Sequence, residues 1–122
     1  MAAALGVGLA SLTLQVDAPF VARSAVEQVV TITATDAAFD PEEIDARPGE
    51  RLRVTLENHG SRAHGLAFEL EPFAAPRPLI VGPGGEASLT MWAPLTPGSY
   101  EYFCPLDDEK SLGLRGSLVV GP

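Results

Sequence analysis

The sequence predicts an all-β protein, an antiparallel β-sandwich with Greek-key connections and seven or eight short strands. Three observations lead there. Apolar and polar residues alternate with a period of two along most of the chain. Turn formers break that alternation at regular intervals, drawn from 12 glycines and 11 prolines. No stretch carries a convincing helical pattern. Short alternating runs separated by turn signals suit two packed sheets.

The elements follow in order. "VVTITAT" places Val30, Ile32 and Ala34 on one face and Val29, Thr31 and Thr33 on the other. "DAAFDPEEIDARPGE" holds Asp40-Pro41 and Pro48-Gly49, so a short strand around Ile44 lies between turns. "RLRVTLEN" points Leu52, Val54 and Leu56 inward and Arg51, Arg53, Thr55 and Glu57 outward. "NHGSRA" is a loop, and "HGLAFEL" alternates again, with His64, Leu66, Phe68 and Leu70 on one face. "EPFAAPRP" is excluded as a central strand by its prolines. "PLIV", "EASLTMW", "SYEYFC" and "RGSLVV" complete the strands, with Tyr100, Tyr102 and Cys104 sharing a face. Met91 and Trp92 read as packing residues.

The 122 residues suffice for one domain with one core, and 46% hydrophobic content excludes disorder. A net charge of −8 speaks against nucleic-acid or anionic-membrane partners and suits solubility or a cationic partner. The N-terminus is apolar and rich in small residues up to Val16, too short for a confident membrane span and similar to the apolar region of a signal peptide. Ala22-Arg23-Ser24 offers small residues before a cut at Ala25, although no Lys or Arg precedes Arg23. The expected organisation is residues 1–25 as signal peptide or apolar anchor and 26–122 as the folded domain. The expected location is periplasmic or cell-surface, with membrane anchoring through residues 1–16 left open.

Two residues stand out chemically. Cys104 is the only cysteine, so no internal disulfide forms, and the thiol is either a buried small hydrophobe or a metal ligand. His64 lies forty positions earlier, at the start of a strand. Both sit on inward faces near one end of the predicted sandwich, where a borderline and a soft donor can share a metal. A lone strand histidine is more often structural. His59, five residues before His64, is a spare that reads as an exposed loop residue.

The wider pattern resembles the cupredoxin family, and within it the EfeO-type, cupredoxin-1-like domains of bacterial exported proteins. The likeness covers about Val29 to Val120. It rests on "F-x-P-x-x-I", "N-x-G-x-x-x-H", "P-G-x-Y-x-Y-x-C" and the closing "G-x-x-G-x-L-x-V". The resemblance implies a Greek-key sandwich, one copper ion at a pole, and single-electron transfer. The family's blue-copper pattern takes one His from the earlier loop. It takes Cys, a second His and usually Met from the loop between the last two strands. Such a set suits both copper oxidation states. Carried over, His64 falls on the first His and Cys104 on the thiolate.

The second His, five residues after the Cys, falls on Glu109, and the Met, ten after it, falls on Leu114. The Asn that often follows the first His is Gly65. The axial Met is dispensable because its bond is long and weak. The missing Asn removes a hydrogen bond that steadies the Cys loop. The missing His weighs most. Glu109 can bind Cu(II) or Zn(II) but suits Cu(I) poorly, so a His-Cys-Glu set favours the oxidised ion. Glu109 also reads as part of a solvated acidic turn with Asp107 and Asp108, three consecutive residues that seldom converge on one ion.

The implied function is an exported copper-binding protein of cupredoxin type, a one-electron carrier. The alternatives are a metal-handling module of iron or copper uptake, and a metal-free interaction domain with a decayed site. The expected ligands are His64, Cys104 and Glu109. The expected partner is a redox or metal-transport protein, and the chain is expected to be monomeric and not an enzyme. A binuclear centre needs a second Cys, and a multicopper oxidase needs far more than two histidines. No nucleophile–base arrangement and no phosphate-cradling glycine loop is present.

Overall fold

The computed structural model describes residues 27–106 and 113–122. Among them are nine strands and no helix. Strand β1 is Gln28–Ala34, β2 Phe39–Asp40, β3 Glu43–Ala46, β4 Arg51–Asn58 and β5 His64–Glu69. Leu79–Val81 forms β6, Glu86–Trp92 β7, Gly98–Phe103 β8 and Arg115–Val120 β9. They build two sheets, one ordered β2-β1-β4-β7 and the other β3-β9-β8-β5-β6. The fold class is the expected all-β sandwich. The added strand is β2, two residues that pair with the end of β1. The assignment of residues 1–25 lies outside the described residues, as does Glu109. Among the described residues no helix is long and apolar enough to cross a membrane.

Two pairings are parallel, β1 with β4 and β3 with β9. The chain crosses from the first sheet to the second and back between β1 and β4, which lets both run the same way. The core forms where the inner faces meet. Ile32, Leu52, Val54, Leu56, Leu66, Leu114 and Leu118 are fully buried. Strand β4 shows the cause most clearly, since its alternation buries Leu52, Val54 and Leu56 and leaves Arg53 exposed. Each such aliphatic side chain contributes about 1.5–3 kcal/mol through burial.

The alternation holds less well at two places. On β5 every residue from His64 to Phe68 is buried, so Gly65 and Ala67 are covered as well as the predicted face. The strand lies between β8 and β6, and Ile80 and Pro105 close over Gly65 on its other face. On β7, Met91 is buried, but Trp92 is 59% exposed and is not a core residue. Adjacent strand residues point to opposite faces, so Met91 and Trp92 cannot both enter the core. The Arg51 guanidinium lies 5.7 Å from the centre of the Trp92 ring instead.

Tyr102 fills the middle of the core between Phe39 and Phe68, with ring centroids 5.8 and 5.7 Å away. Its hydroxyl donates to the Pro41 carbonyl. Burial, then the charges of Glu42, Glu43 and Asp40, push its phenol well above the ordinary 10.0. The tyrosines read as packing, as expected for most aromatic residues in a sandwich.

Two tests follow from the core. Leu56→Ala is expected to lower unfolding free energy by about 2–5 kcal/mol in urea, and Arg53→Ala to change it by less than about 0.5. The raised phenol acts on the alkaline side. The unfolded chain ionises Tyr102 near 10.0 while the folded chain holds it neutral, so stability is full below pH 10.0 and falls above it. Tyr102→Phe should unfold more readily at neutral pH, having lost the bond to Pro41, yet show a shallower alkaline decline. Urea midpoints on both sides of pH 10.0 check this.

Candidate metal centre

Three pieces of chain meet at one end of the sandwich: the 35–38 turn after β1, the 59–63 loop between β4 and β5, and the ends of the β8–β9 connection. The 35–38 turn is closed by the Thr35 amide donating to the Ala38 carbonyl at 3.0 Å. The Thr35 hydroxyl oxygen also accepts from the amides of Ala37 and Ala38, both at 3.2 Å. This holds Asp36 at the head of the turn.

The second loop is organised by Asn58, a fully buried polar residue at the end of β4. Its Nδ2 donates to the carbonyls of Arg62 and Val81, each at 2.9 Å. Its Oδ1 accepts from the Gly60 amide at 2.8 Å. A buried side-chain amide with donors and acceptor all used is a fixed scaffold. Its role explains the Asn and Gly of the "N-x-G-x-x-x-H" pattern: Asn58 folds the loop, and Gly60 passes where a side chain cannot. A Cβ on Gly60 would lie 2.3 Å from Asp36 Oδ1 and 2.6 Å from His64 Nε2.

His64 is fully buried, and its Nε2 lies 2.8 Å from Asp36 Oδ1. Asp36 is gripped further by Ser61, whose amide reaches Oδ1 at 3.0 Å and Oδ2 at 3.1 Å and whose hydroxyl donates to Oδ2. The Arg62 guanidinium stands 3.9 Å from Oδ1. The Ser61 hydroxyl bond, then the bonds from His64 and the Ser61 amide, hold the Asp36 carboxyl well below its usual range, with Arg62 adding to the effect. An ionised carboxylate only accepts, so Nε2 carries the proton of the 2.8 Å bond.

Cys104 follows β8 directly and is 1% exposed. Its amide donates to the Leu114 carbonyl at 3.0 Å, which ties together the two ends of the β8–β9 connection. Leu114 is fully buried. Gly113 adopts φ +106°, and a Cβ there would lie 2.6 Å from the Ala37 carbonyl oxygen, so Gly113 is seated against the 35–38 turn. The Cys104 sulfur accepts the amide N–H of Gly65 at 3.2 Å. Gly65 thus sits directly between the two predicted donors, beside His64 in the chain and bonded to Cys104 in space. The sulfur obtains this donor from the main chain, so it does not depend on the absent Asn side chain.

The structure therefore brings His64 and Cys104 to the same end of the fold. Glu109 and its neighbours Asp107 and Asp108 lie outside the described residues. Among the described residues no group of three His, Cys, Asp or Glu is placed to hold a metal ion. His59 is the exposed loop residue expected, with Nε2 3.2 Å from Glu57 Oε1 and its amide bonded to the Ala34 carbonyl. Sequence reasoning missed Asp36 and the separate roles of Asn58 and Gly60. Asp36 lies 28 residues before His64, on another loop, where no local spacing rule connects them.

The family model of the cupredoxin-like domain matches residues 2–120. The chain belongs to the cupredoxin-like domain family. No curated protein matches the sequence. Among solved structures, the dithionite-reduced auracyanin of Roseiflexus castenholzii aligns with a TM-score of 0.70 at 20% identity, covering 78% of this chain and 98% of that one. Auracyanin A of Chloroflexus aurantiacus, a "blue" copper protein, aligns at 0.67 and 16% identity, covering 79% and 100%. The copper-containing nitrite reductase of Thermus scotoductus aligns at 0.63 and 19% identity, with 80% of this chain matched to 28% of the enzyme. At such identities these likenesses establish the cupredoxin fold. The fold's neighbours include an enzyme as well as blue copper proteins.

The crowding at Gly65 yields a prediction. A Cβ at residue 65 would lie 2.7 Å from Ile80 Cδ1, 2.8 Å from the Leu79 carbonyl oxygen and 3.0 Å from Pro105 Cδ. Gly65→Asn, which inserts the family's common residue, is expected to destabilise the protein by about 1–3 kcal/mol. Adding Ile80→Ala should recover part of that loss. Thermal unfolding of the single and double variants measures both, and a fully stable Gly65→Asn protein would refute the packing argument.

Proposed function

We propose that this protein is an exported copper-binding member of its family, holding one ion through His64 and Cys104 with Glu109 as third donor, and that it carries single electrons. The observation behind this reading is the Gly65 amide bonded to the Cys104 sulfur at 3.2 Å. An N–H aimed at sulfur favours the thiolate, the form in which cysteine binds metal. His64 adds an imidazole whose Nε2 is already engaged by Asp36 at 2.8 Å, which assigns the other ring nitrogen to any metal. Imidazole and thiolate are donors suited to copper. A bound copper ion would supply the one-electron couple.

The protein's own part is to hold these donors still. Both are buried, each lies at the end of a strand, and the loops around them are pinned by Asn58 and Asp36. Little rearrangement of the donors on a change of oxidation state is what an electron carrier needs. Export is supported by the apolar N-terminal residues up to Val16 and the small residues before Ala25. A redox or metal-transport protein is the matching partner class. A second reading, metal handling in the manner of EfeO-type domains, is favoured by Glu109 at the family's second histidine position. A carboxylate suits the oxidised ion and a carrier that need not cycle.

A Cu(II) titration followed by visible absorption separates these readings. Ligation by Cys104 gives a strong thiolate charge-transfer band, which Cys104→Ser abolishes and His59→Ala leaves intact. Uptake without the band points to a histidine and carboxylate site and to metal handling. Failure to bind at all, or loss of the metal in His59→Ala but not in His64→Ala, contradicts the assignment.

A further inference from the structure

We infer that Asp36 is a positioning residue for His64: its carboxylate accepts the Nε2 proton, so fixes the orientation of the ring, and sets a negative charge against it. This deepens the copper reading, and only its consequence for metal preference rests on that reading.

The geometry is restrictive on both sides of the bond. His64 is fully buried, so its ring has no solvent in which to exchange partners. Nε2 lies 2.8 Å from Asp36 Oδ1. The carboxylate is fixed in turn. Oδ1 takes the Ser61 amide at 3.0 Å, Oδ2 takes the Ser61 hydroxyl and the amide at 3.1 Å, and the Arg62 guanidinium stands 3.9 Å from Oδ1. Arg62 also donates to the Asp36 main-chain carbonyl at 3.5 Å. Gly60 covers the Asp36–His64 bond so closely that no larger residue fits there. One loop and one turn thus converge on a single hydrogen bond.

The chemistry follows from the charge of the acceptor. The bond made by one ring nitrogen decides which nitrogen is left to bind a metal. A carboxylate behind a metal-binding histidine orients the ring and raises the basicity of its other nitrogen. A neutral carbonyl would orient the ring as well but would add no charge. Asp36 is therefore expected to strengthen binding of the more highly charged ion, Cu(II), more than that of Cu(I).

The test uses the full chain with two readouts: ¹⁵N NMR of the imidazoles in the metal-free protein, and Cu(II) and Cu(I) affinities. Wild type and Asp36→Asn, which keeps an acceptor oxygen, should both show His64 protonated at Nε2, and Asp36→Ala should show a mixture. Cu(II) affinity should fall roughly 10–100-fold in Asp36→Ala and less in Asp36→Asn, with smaller losses for Cu(I) in both. A wild-type His64 without a proton on Nε2 overturns the inference, as does an Asp36→Ala protein with wild-type ring protonation and Cu(II) affinity. If Asp36→Ala does not fold, the wild-type tautomer and the Asp36→Asn ratio of Cu(II) to Cu(I) affinity decide. If no protein takes up copper, the copper reading falls and the tautomers alone decide the role of Asp36.

Discussion

The structure around the candidate centre depends on the close approach at residue 65, where strand β5 must pass within van der Waals reach of both β6 and the chain after Cys104. Ile80, the Leu79 carbonyl and Pro105 all crowd the space that a side chain there would occupy. The absence of a Cβ lets the Gly65 amide come within 3.2 Å of the Cys104 sulfur. That bond ties the start of β5 to the end of β8, beyond the Ala67–Phe103 pair at which the pairing of these two strands stops. A residue with a side chain would force β5 away from one of its neighbours. The donor to sulfur and the relation of the two candidate ligands would then change together.

The core and the centre are linked through β4. Leu52, Val54 and Leu56 fix this strand in the sandwich, and Asn58 stands at its end. The Asn58 side chain directs three hydrogen bonds to the loop that leads to His64 and to Val81 of β6. Parallel pairing of β1 with β4 brings the end of β1, and so Asp36, to the same end of the molecule. Hydrophobic burial therefore sets where the loops start, and a few fully used polar groups set how they close. Loops held in this way are fixed before any ligand arrives, as the proposed one-electron role requires.

Much of this was legible in the chain itself. Period-two alternation located β4, the core face of β1 and the strands from β7 onward, because those strands have one face in the core and one toward solvent. On β5 it located the core face of His64, Leu66, Phe68 and Leu70 but not the burial of Gly65 and Ala67 opposite, and it did not separate Trp92, which is exposed, from Met91, which faces inward. The placement of His64 and Cys104 at one end of the fold is legible from their motifs, because strand ends are recorded in local spacing. That of Asp36 is not. Its relation to His64 is made by strand pairing across 28 residues, and a lone Asp in a turn looks like any other turn former. Gly65 departs from the family pattern, and the crowding that accounts for it comes from Ile80, Leu79 and Pro105, which are distant in sequence.

The proposed function requires that His64 and Cys104 bind the same copper ion. Copper-edge X-ray absorption on the copper-loaded protein tests it most directly. The account predicts one sulfur neighbour together with the scattering signature of a coordinated imidazole, the sulfur signal vanishing in Cys104→Ser and the imidazole signature in His64→Ala. A shell of oxygen and nitrogen alone, unchanged in Cys104→Ser, would contradict it.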